Sequence, residues 1–244
     1  MGGGNSTLPQ PTFPPVYSNT GKYAVLIGLC YHNSKYQLPD CRTNIRLMNS
    51  KLTQAGYTVT EYHEPQSILT TFMQYVNSIT GPRNETSKAI GSTDTLLFYY
   101  TGHGTKSTHP PFLDYMVNGD MTLVSSQELT AVLNALTGRN VKVKCIIDAC
   151  YSADLVILPY TIVPCSNITQ NIPTNVYIVL LAAASDLAYA DNERHVGEFT
   201  LKLYEILTPE ITWNSAFCRL TQTIENQSPK LLTVNPILVN TTIL

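Results

Sequence analysis

The chain has 244 residues, of which 43% are hydrophobic and 13% are charged, and its formal net charge is −2. This length and composition predict one globular α/β domain and argue against a disordered protein. A net charge near zero, without a basic stripe, argues against nucleic acid as a partner.

Residues 1–21 are rich in glycine and proline, which predicts a flexible arm ahead of a folded domain at residues 22–244. The first six residues match the myristoylation pattern, with Gly2 as the acceptor. One acyl chain without a polybasic patch binds membranes weakly, so we expect at most a weak membrane association through Gly2. The longest apolar run, at residues 176–184, is too short for a transmembrane segment.

Six cysteines are scattered along the chain without CxxC pairs, and the five histidines show no zinc-ligand spacing around them. We therefore expect neither a disulfide framework nor a metal site, and no cofactor is implied. The lack of a signal-like leader predicts a cytoplasmic protein with reduced thiols. The cysteines are Cys30, Cys41, Cys145, Cys150, Cys165 and Cys218.

Short apolar runs alternate with amphipathic segments along the domain. Asp40 is positioned to cap the first helix, Gly56 and Gly138 to end the first and third helices, and residues 125–128 form a capping box. This alternation predicts a mainly parallel sheet with helices on both faces. Strands are predicted at residues 23–28, 58–62, 95–100, 141–147 and 176–183, and helices at 41–52, 67–79, 125–136, 199–207 and 211–227.

Two reactive side chains directly follow two of these strands, His103 after the third and Cys150 after the fourth. If the strands are neighbours, an imidazole and a thiol meet at the carboxyl edge of the sheet, which is the minimum for covalent acyl transfer. Gly102 and Gly104 allow close approach of the backbone and leave an amide for an oxyanion. A lone histidine or cysteine is more often structural, but these two are 47 residues apart, close to the spacing of about 50 in caspase-type enzymes.

Residues 97–105 (LFYYTGHGT) and 146–152 (IIDACYS) resemble the two signature blocks of metacaspases. Weaker blocks in the order of that family, residues 183–186 and 197–200 among them, extend the resemblance over nearly everything after residue 21. The resemblance implies a caspase-like three-layer α/β/α sandwich and a cysteine endopeptidase with a His103–Cys150 dyad. It also implies that the backbone amides of Gly104 and Cys150 bind the oxyanion.

The resemblance further implies cleavage of protein or peptide substrates after Arg or Lys, in a pocket matched here by Cys41, Asn44, Thr101 and Asp148. The Asp148 carboxylate can pair with a guanidinium group. Asn44, however, replaces the usual aspartate, and Thr101 replaces a serine. Losing one of two carboxylates weakens the Coulombic preference for a basic residue.

Further departures concern the turn after the nucleophile and the activation of the enzyme. Tyr151 replaces the usual histidine, and Ala153 replaces a glycine. Asp186 and Asp191 are too few for the calcium-binding aspartate cluster of some metacaspases, so we expect activity without calcium. No Lys or Arg lies between Lys144 and Arg194, so an enzyme with basic specificity could not cut the linker between its two halves, and we expect an unprocessed single chain. We also expect the protein to be a monomer.

Two alternatives stay open at the level of sequence. Fold does not guarantee activity, so the chain could be a pseudo-peptidase or binding module on the caspase fold. It could also be a caspase-like enzyme with another specificity, such as a preference for Asp. The turn at residues 38–41 lacks the arginine that such a pocket needs, and Arg42 is displaced from that position.

Overall fold

The structure is a computed structural model, and it describes residues 20–38, 41–80, 94–109, 114–137, 141–172, 176–183, 190–191, 196–225 and 227–244. Most of the arm expected at residues 1–21 lies outside these residues, together with Gly2, Asp40, Gly138 and Asp186. The expectations that concern them stay predictions.

A seven-stranded sheet forms the centre of the described structure. The described residues form twelve strands in all, seven of them in this sheet. In chain order they are β1 (Lys22–Gly28), β2 (Thr58–His63), β3 (Thr95–Thr101), β4 (Gly104–Lys106), β5 (Asp114–Val117), β6 (Leu123–Ser125), β7 (Lys142–Asp148), β8 (Tyr160–Thr161), β9 (Tyr177–Ala182), β10 (Ala190–Asp191), β11 (Val196–Gly197) and β12 (Lys230–Thr233). The central sheet has the order β2-β1-β3-β7-β9-β12-β8. Its first five strands run parallel, and β12 is antiparallel to both neighbours, which confirms the predicted mainly parallel sheet.

Helices cover both faces of this sheet, as predicted. They are α1 (Cys41–Gln54), α2 (Ile68–Thr80), α3 (Ser126–Thr137), α4 (Glu198–Ile206) and α5 (Trp213–Thr223), followed by a short 3₁₀ helix at Pro236–Asn240. Among the described residues, none of the helices is both long enough and apolar enough to cross a membrane.

Successive side chains of β3 point into two different cores, because neighbouring residues of a strand face opposite sides of a sheet. Phe98 and Tyr100 pack in the core that α2 and α3 cover, whereas Leu97 and Tyr99 pack in the core beneath α1, α4 and α5. All seven residues of β3 are buried. Burying a large apolar side chain stabilises the fold by about 1.5–3 kcal/mol, so β3 is anchored from both faces.

The predicted capping box at the start of α3 is confirmed. The amide of Glu128 donates to the Ser125 hydroxyl oxygen at 3.3 Å, and the Ser125 amide donates to the Glu128 carboxylate at 2.9 Å. Because both amides precede the first intrahelical hydrogen bonds, these contacts satisfy donors that the helix itself leaves open.

A small antiparallel sheet of β4, β5 and β6 stands beside the central one and was not predicted. Its strands have three or four residues each, too few for a clear alternation of polar and apolar side chains. The sheet begins at Gly104, directly after His103, and therefore fixes the path of the chain as it leaves the predicted catalytic histidine.

One disulfide corrects the expectation that none would form. Cys165, in the loop after β8, is bonded to Cys218 in α5, with the Cα atoms 4.8 Å apart. The two cysteines are 53 residues apart in sequence, so no local spacing pattern indicates the pair. Disulfides are typical of oxidising compartments, and the expectation of a reducing cytosol loses its support.

Lys144 is a cation buried in the central strand β7, with 6% of its surface exposed. Its ammonium group donates to the Tyr57 hydroxyl at 3.2 Å and to the Ile243 carbonyl at 2.8 Å. Burial, followed by repulsion from Lys22 and Lys142, lowers the pKa of Lys144 to about 7.

Replacing Lys144 with Met should flatten the pH dependence of the free energy of unfolding above pH 7. The pKa of an unfolded lysine is roughly 10.4, so above the folded pKa of about 7 the unfolded state binds more protons, and wild-type stability rises with pH. Lys144→Met removes this dependence. It also removes the free-energy penalty of burying an ammonium group, at the loss of two hydrogen bonds worth about 1 kcal/mol each, and should therefore stabilise the protein near pH 7 by about 1–3 kcal/mol. Urea unfolding at several pH values measures both effects.

The control is Lys106→Met, because Lys106 lies exposed at the end of β4 and is not among the groups that lower the pKa of Lys144. It should keep the wild-type slope of stability against pH. Equal slopes for Lys144→Met and wild type would contradict the prediction.

Candidate active site

The pairing of β3 with β7 brings the two predicted catalytic loops together. The strands are parallel neighbours, with Thr101 opposite Asp148 at their carboxyl ends. The chain therefore leaves the sheet toward His103 and toward Cys150 at the same edge. A Cβ atom on Gly104 would overlap the carbonyl oxygen of Cys150, so the two loops are in backbone contact and only glycine fits at position 104.

The His103 imidazole is held by a backbone carbonyl and a tyrosine ring. Its Nε2 atom lies 2.6 Å from the carbonyl oxygen of Tyr36. Because this oxygen can only accept, Nε2 carries the hydrogen, and in the neutral imidazole Nδ1 is left as the proton acceptor. The Tyr31 ring packs against the imidazole with the ring centres 4.7 Å apart. Sequence analysis missed both tyrosines, because the loop of residues 29–38 has no periodic pattern.

A tyrosine pair fixes the backbone on both sides of this imidazole. The amide of His103 donates to the Tyr31 hydroxyl at 3.1 Å, and the Tyr100 hydroxyl donates to the His103 carbonyl at 2.8 Å. The Tyr31 hydroxyl in turn donates to the carbonyl of Val117 in β5 at 2.6 Å. Burial raises the pKa of both tyrosines, so both hydroxyls stay protonated and can donate.

Cys150 is a half-exposed thiol outside the disulfide, in the turn that follows β7. The next residue, Tyr151, has a left-handed backbone with φ of 48°. A non-glycine residue in this conformation costs on the order of 1–3 kcal/mol and is typical of functional turns. Ala149 and Ser152 are buried on either side of Cys150. These two residues anchor the turn in the protein, while the Cys150 side chain remains half-exposed.

The predicted pocket residues Asn44, Thr101 and Asp148 lie together in a hydrogen-bonded cluster. The Asn44 amide nitrogen donates to the Thr101 hydroxyl at 2.8 Å and to the Asp148 carboxylate at 3.4 Å. Thr200, in α4, donates its hydroxyl to the same carboxylate oxygen at 2.6 Å. Sequence analysis did not assign a role to Thr200, although it ends the weaker block at residues 197–200.

Asp148 is enclosed, with 6% of its surface exposed. Burial raises the pKa of its carboxyl group to about 6, against the opposing effect of the Thr200 hydrogen bond. Gly197 covers it, since a Cβ atom there would overlap the carboxylate oxygen, and the Gly197 amide donates to the Asn44 side-chain oxygen at 2.9 Å. The carboxylate therefore lies beneath the strand β11 and is ionised in large part at neutral pH.

Cys41, the remaining predicted pocket residue, lies one turn before Asn44 on α1, and it is buried. Its thiol donates to the Leu29 carbonyl at 3.2 Å, and its amide donates to the Cys30 sulfur at 2.9 Å. The hydrogen bond with Cys30 and burial raise the pKa of Cys41. Cys41 thus carries a neutral thiol, and its place in a substrate pocket stays a prediction.

Comparison with known proteins assigns the chain to a family. Residues 21–240 match the family model of the caspase domain, so the chain belongs to the caspase domain family. It is 26% identical over 187 residues to metacaspase-1 of Mycosarcoma maydis, covering 69% of this chain and 45% of that protein. It is 24% identical over 173 residues to metacaspase-5 of Trypanosoma cruzi, covering 63% and 38%. The chain thus spans less than half the length of these two curated relatives, and the resemblance to metacaspases is confirmed.

Solved structures show the same fold. A crystal structure of a Geobacter sulfurreducens protein has a TM-score of 0.65 at 16% identity, covering 91% of this chain and 97% of that one. The Drosophila initiator caspase Dronc has a TM-score of 0.61 at 10% identity, covering 99% and 89%. At these identities the likeness concerns the fold alone, and it confirms the predicted caspase-like α/β/α sandwich.

Replacing Asn44 with Asp should make the stability of the protein strongly dependent on pH. The change places a second carboxylate against Asp148 in a buried cluster, and two carboxylates this close raise the pKa of the pair above the value of about 6 for Asp148 alone. The folded state then binds more protons than the unfolded state, so stability falls as pH rises. We expect a melting temperature closest to wild type near pH 5 and roughly 5 °C or more below it at pH 8, measured by calorimetry.

The double variant Asn44→Asp with Asp148→Asn keeps one carboxylate in the same cluster and serves as the control. Between pH 5 and pH 8 its melting temperature should not show the fall relative to wild type that the single variant Asn44→Asp shows. The interpretation fails if the single and double variants follow the same curve.

Proposed function

We propose that this protein is a cysteine endopeptidase of the metacaspase type, with Cys150 as nucleophile and His103 as its proton-transfer partner. The observation that carries the proposal is the backbone contact between Gly104 and Cys150 at the ends of β3 and β7. This contact puts a half-exposed thiol beside the turn that holds an imidazole. Membership in the caspase domain family supports the same assignment.

The proposed reaction uses the tautomer that Tyr36 imposes on His103. With Nε2 donating to the Tyr36 carbonyl, Nδ1 is the atom that takes the proton of the Cys150 thiol. The thiolate then attacks the scissile carbonyl carbon, and the amides of Gly104 and Cys150 stabilise the oxyanion. The imidazolium protonates the leaving amine, and a water molecule activated by the same imidazole releases the acyl group from Cys150.

The proposed specificity is for Arg or Lys before the scissile bond, in the pocket of Cys41, Asn44, Thr101 and Asp148. Asp148 supplies the charge of this pocket, and a substrate guanidinium would lower its pKa and keep it ionised. Thr200 and Asn44 donate to the carboxylate and hold it in one orientation. Arg42 is exposed on the surface of α1, which gives no support to a preference for Asp.

Substitution of either dyad residue should remove peptidase activity. Cys150→Ala deletes the nucleophile and should leave no turnover, and His103→Ala should lower kcat/KM by about 10²–10⁴-fold, the usual contribution of general acid–base catalysis. The measurement is the release of a fluorophore from matched peptides ending in Arg, Lys or Asp, with calcium and with a chelator. We expect turnover of the Arg and Lys peptides under both conditions.

The controls separate loss of chemistry from loss of fold. His109 is exposed and hydrogen-bonds locally with Ser107 and Thr108, so His109→Ala should keep wild-type kcat/KM. Circular dichroism of each variant checks the fold. A correctly folded wild-type protein that cleaves none of the peptides would overturn the proposal in favour of a binding module.

The active enzyme should remain a single uncut chain. No Lys or Arg lies between Lys144 and Arg194, so an enzyme with basic specificity finds no cleavage site in the linker between the two halves. Mass spectrometry and reducing gels of an active preparation should show one chain. Two fragments split between residues 151 and 193, absent from Cys150→Ala, would contradict both the single-chain state and the basic specificity.

A further inference from the structure

A second group of ligand-forming side chains lies at the carboxyl edge of the sheet, one strand away from the dyad. The Cys30 sulfur, a ring nitrogen of His32 and a carboxylate oxygen of Glu64 all lie within 4.8 Å of one another. Two of these residues follow β1 and one follows β2, and the two strands are parallel neighbours with Gly28 opposite His63. We propose that Cys30, His32 and Glu64 form a binding site for a divalent metal ion of borderline softness, of the Zn²⁺ class.

The donor set fits this class of ion. Zn²⁺ binds thiolate sulfur at about 2.3 Å and imidazole nitrogen or carboxylate oxygen at about 2.0–2.2 Å, in tetrahedral geometry. Three protein ligands leave the fourth position to water. The hard ions Ca²⁺ and Mg²⁺ prefer sets of oxygen ligands only, which a thiol and an imidazole do not provide.

Contacts from the backbone orient two of the three ligands, Glu64 and Cys30. The amides of Cys30 and Tyr31 donate to the two oxygens of Glu64 at 2.7 and 3.1 Å, and the amide of Cys41 donates to the Cys30 sulfur at 2.9 Å. Outer hydrogen bonds of this kind hold the ligands of metal sites in place. Carboxylate oxygens have about two lone-pair sites each, so Glu64 can accept from an amide and still bind an ion.

The three ligands differ in their exposure to solvent. Cys30 is 1% exposed, whereas the side chain of His32 is 37% exposed and lies 3.7 Å from the Glu64 carboxylate. Tyr31 and Glu64 both have left-handed backbones, with φ of 55° and 53°. A left-handed conformation at a non-glycine residue is uncommon and persists where the surrounding structure holds it.

The site is physically connected to the proposed catalytic histidine. Tyr31 lies between two of the ligands in sequence, its ring packs on the His103 imidazole, and its hydroxyl accepts from the His103 amide. An ion bound to Cys30 and His32 restrains the backbone of Tyr31 from both sides. Metal binding is therefore expected to stabilise the loop that positions His103.

The competing interpretation is a surface ion pair between His32 and Glu64, with Glu64 otherwise receiving the two backbone amides. Cobalt(II) titration of the Cys150→Ala protein distinguishes the two, because this background removes the catalytic thiol as a ligand. The titration is done without thiol reductant, so that the Cys165–Cys218 disulfide stays closed. One cobalt ion per chain should bind and give a thiolate-to-cobalt charge-transfer band in the near ultraviolet.

Variants in the same background assign the ligands. Cys30→Ser should abolish the charge-transfer band, and His32→Gln and Glu64→Gln should each weaken cobalt binding by more than about tenfold. His63→Gln is the matched control, because His63 is equally exposed and pairs with Glu61 on β2. It should bind cobalt as tightly as its parent.

The proposal is overturned if no band appears with Cys150→Ala, or if the band persists unchanged in Cys30→Ser. Should Cys30→Ser fail to fold, His32→Gln decides, since this exposed side chain can be replaced without disturbing the core; binding equal to the parent would refute the site. A rise in melting temperature on addition of Zn²⁺, present in Cys150→Ala and absent in His32→Gln, is the expected supporting result. None of these measurements depends on peptidase activity.

Discussion

The parallel pairing of β3 with β7 is the constraint on which the rest of the site depends. Its register sets Thr101 beside Asp148, so the chain segments that carry His103 and Cys150 start from adjacent points. A shift of one residue would turn every side chain of β3 to the opposite face of the sheet, so that each side chain would enter the other of the two cores. The burial of β3 on both sides makes such a shift costly, so the core fixes the points from which the two loops start, and contacts within the loops then position the candidate dyad.

The parts of the fold that could be predicted are those written in local patterns. Apolar runs identified strands such as β3 and β9, alternation identified β2, and the capping box located the start of α3. The strand β12 was missed because it has only four residues and no alternation, and the Cys165–Cys218 bond because its partners meet only in the folded chain. Patterns within one segment cannot report contacts that join distant segments.

The same distinction applies to the candidate site. His103 and Cys150 closely follow strands and Asp148 ends one, so a topological rule locates them. The carbonyl of Tyr36 is invisible in a sequence, because every residue has one and only the fold selects which of them faces the imidazole. Thr200 reaches Asp148 from a helix 52 residues further along the chain. The charge of the pocket could be predicted from residue types, but the groups that orient this charge could not.

The outermost strand of the sheet, β8, comes from the segment between the two halves of the chain and covers the free edge of β12. An uncovered edge exposes unpaired amides and carbonyls to any extended segment of a neighbouring molecule, which is a common route to aggregation. A cover of two residues is weak by itself, but the disulfide at Cys165, four residues beyond it, fastens it to α5. Reduction of this bond would release the loop after β8 from α5 and leave the pairing with β12 to hold the two-residue strand in place.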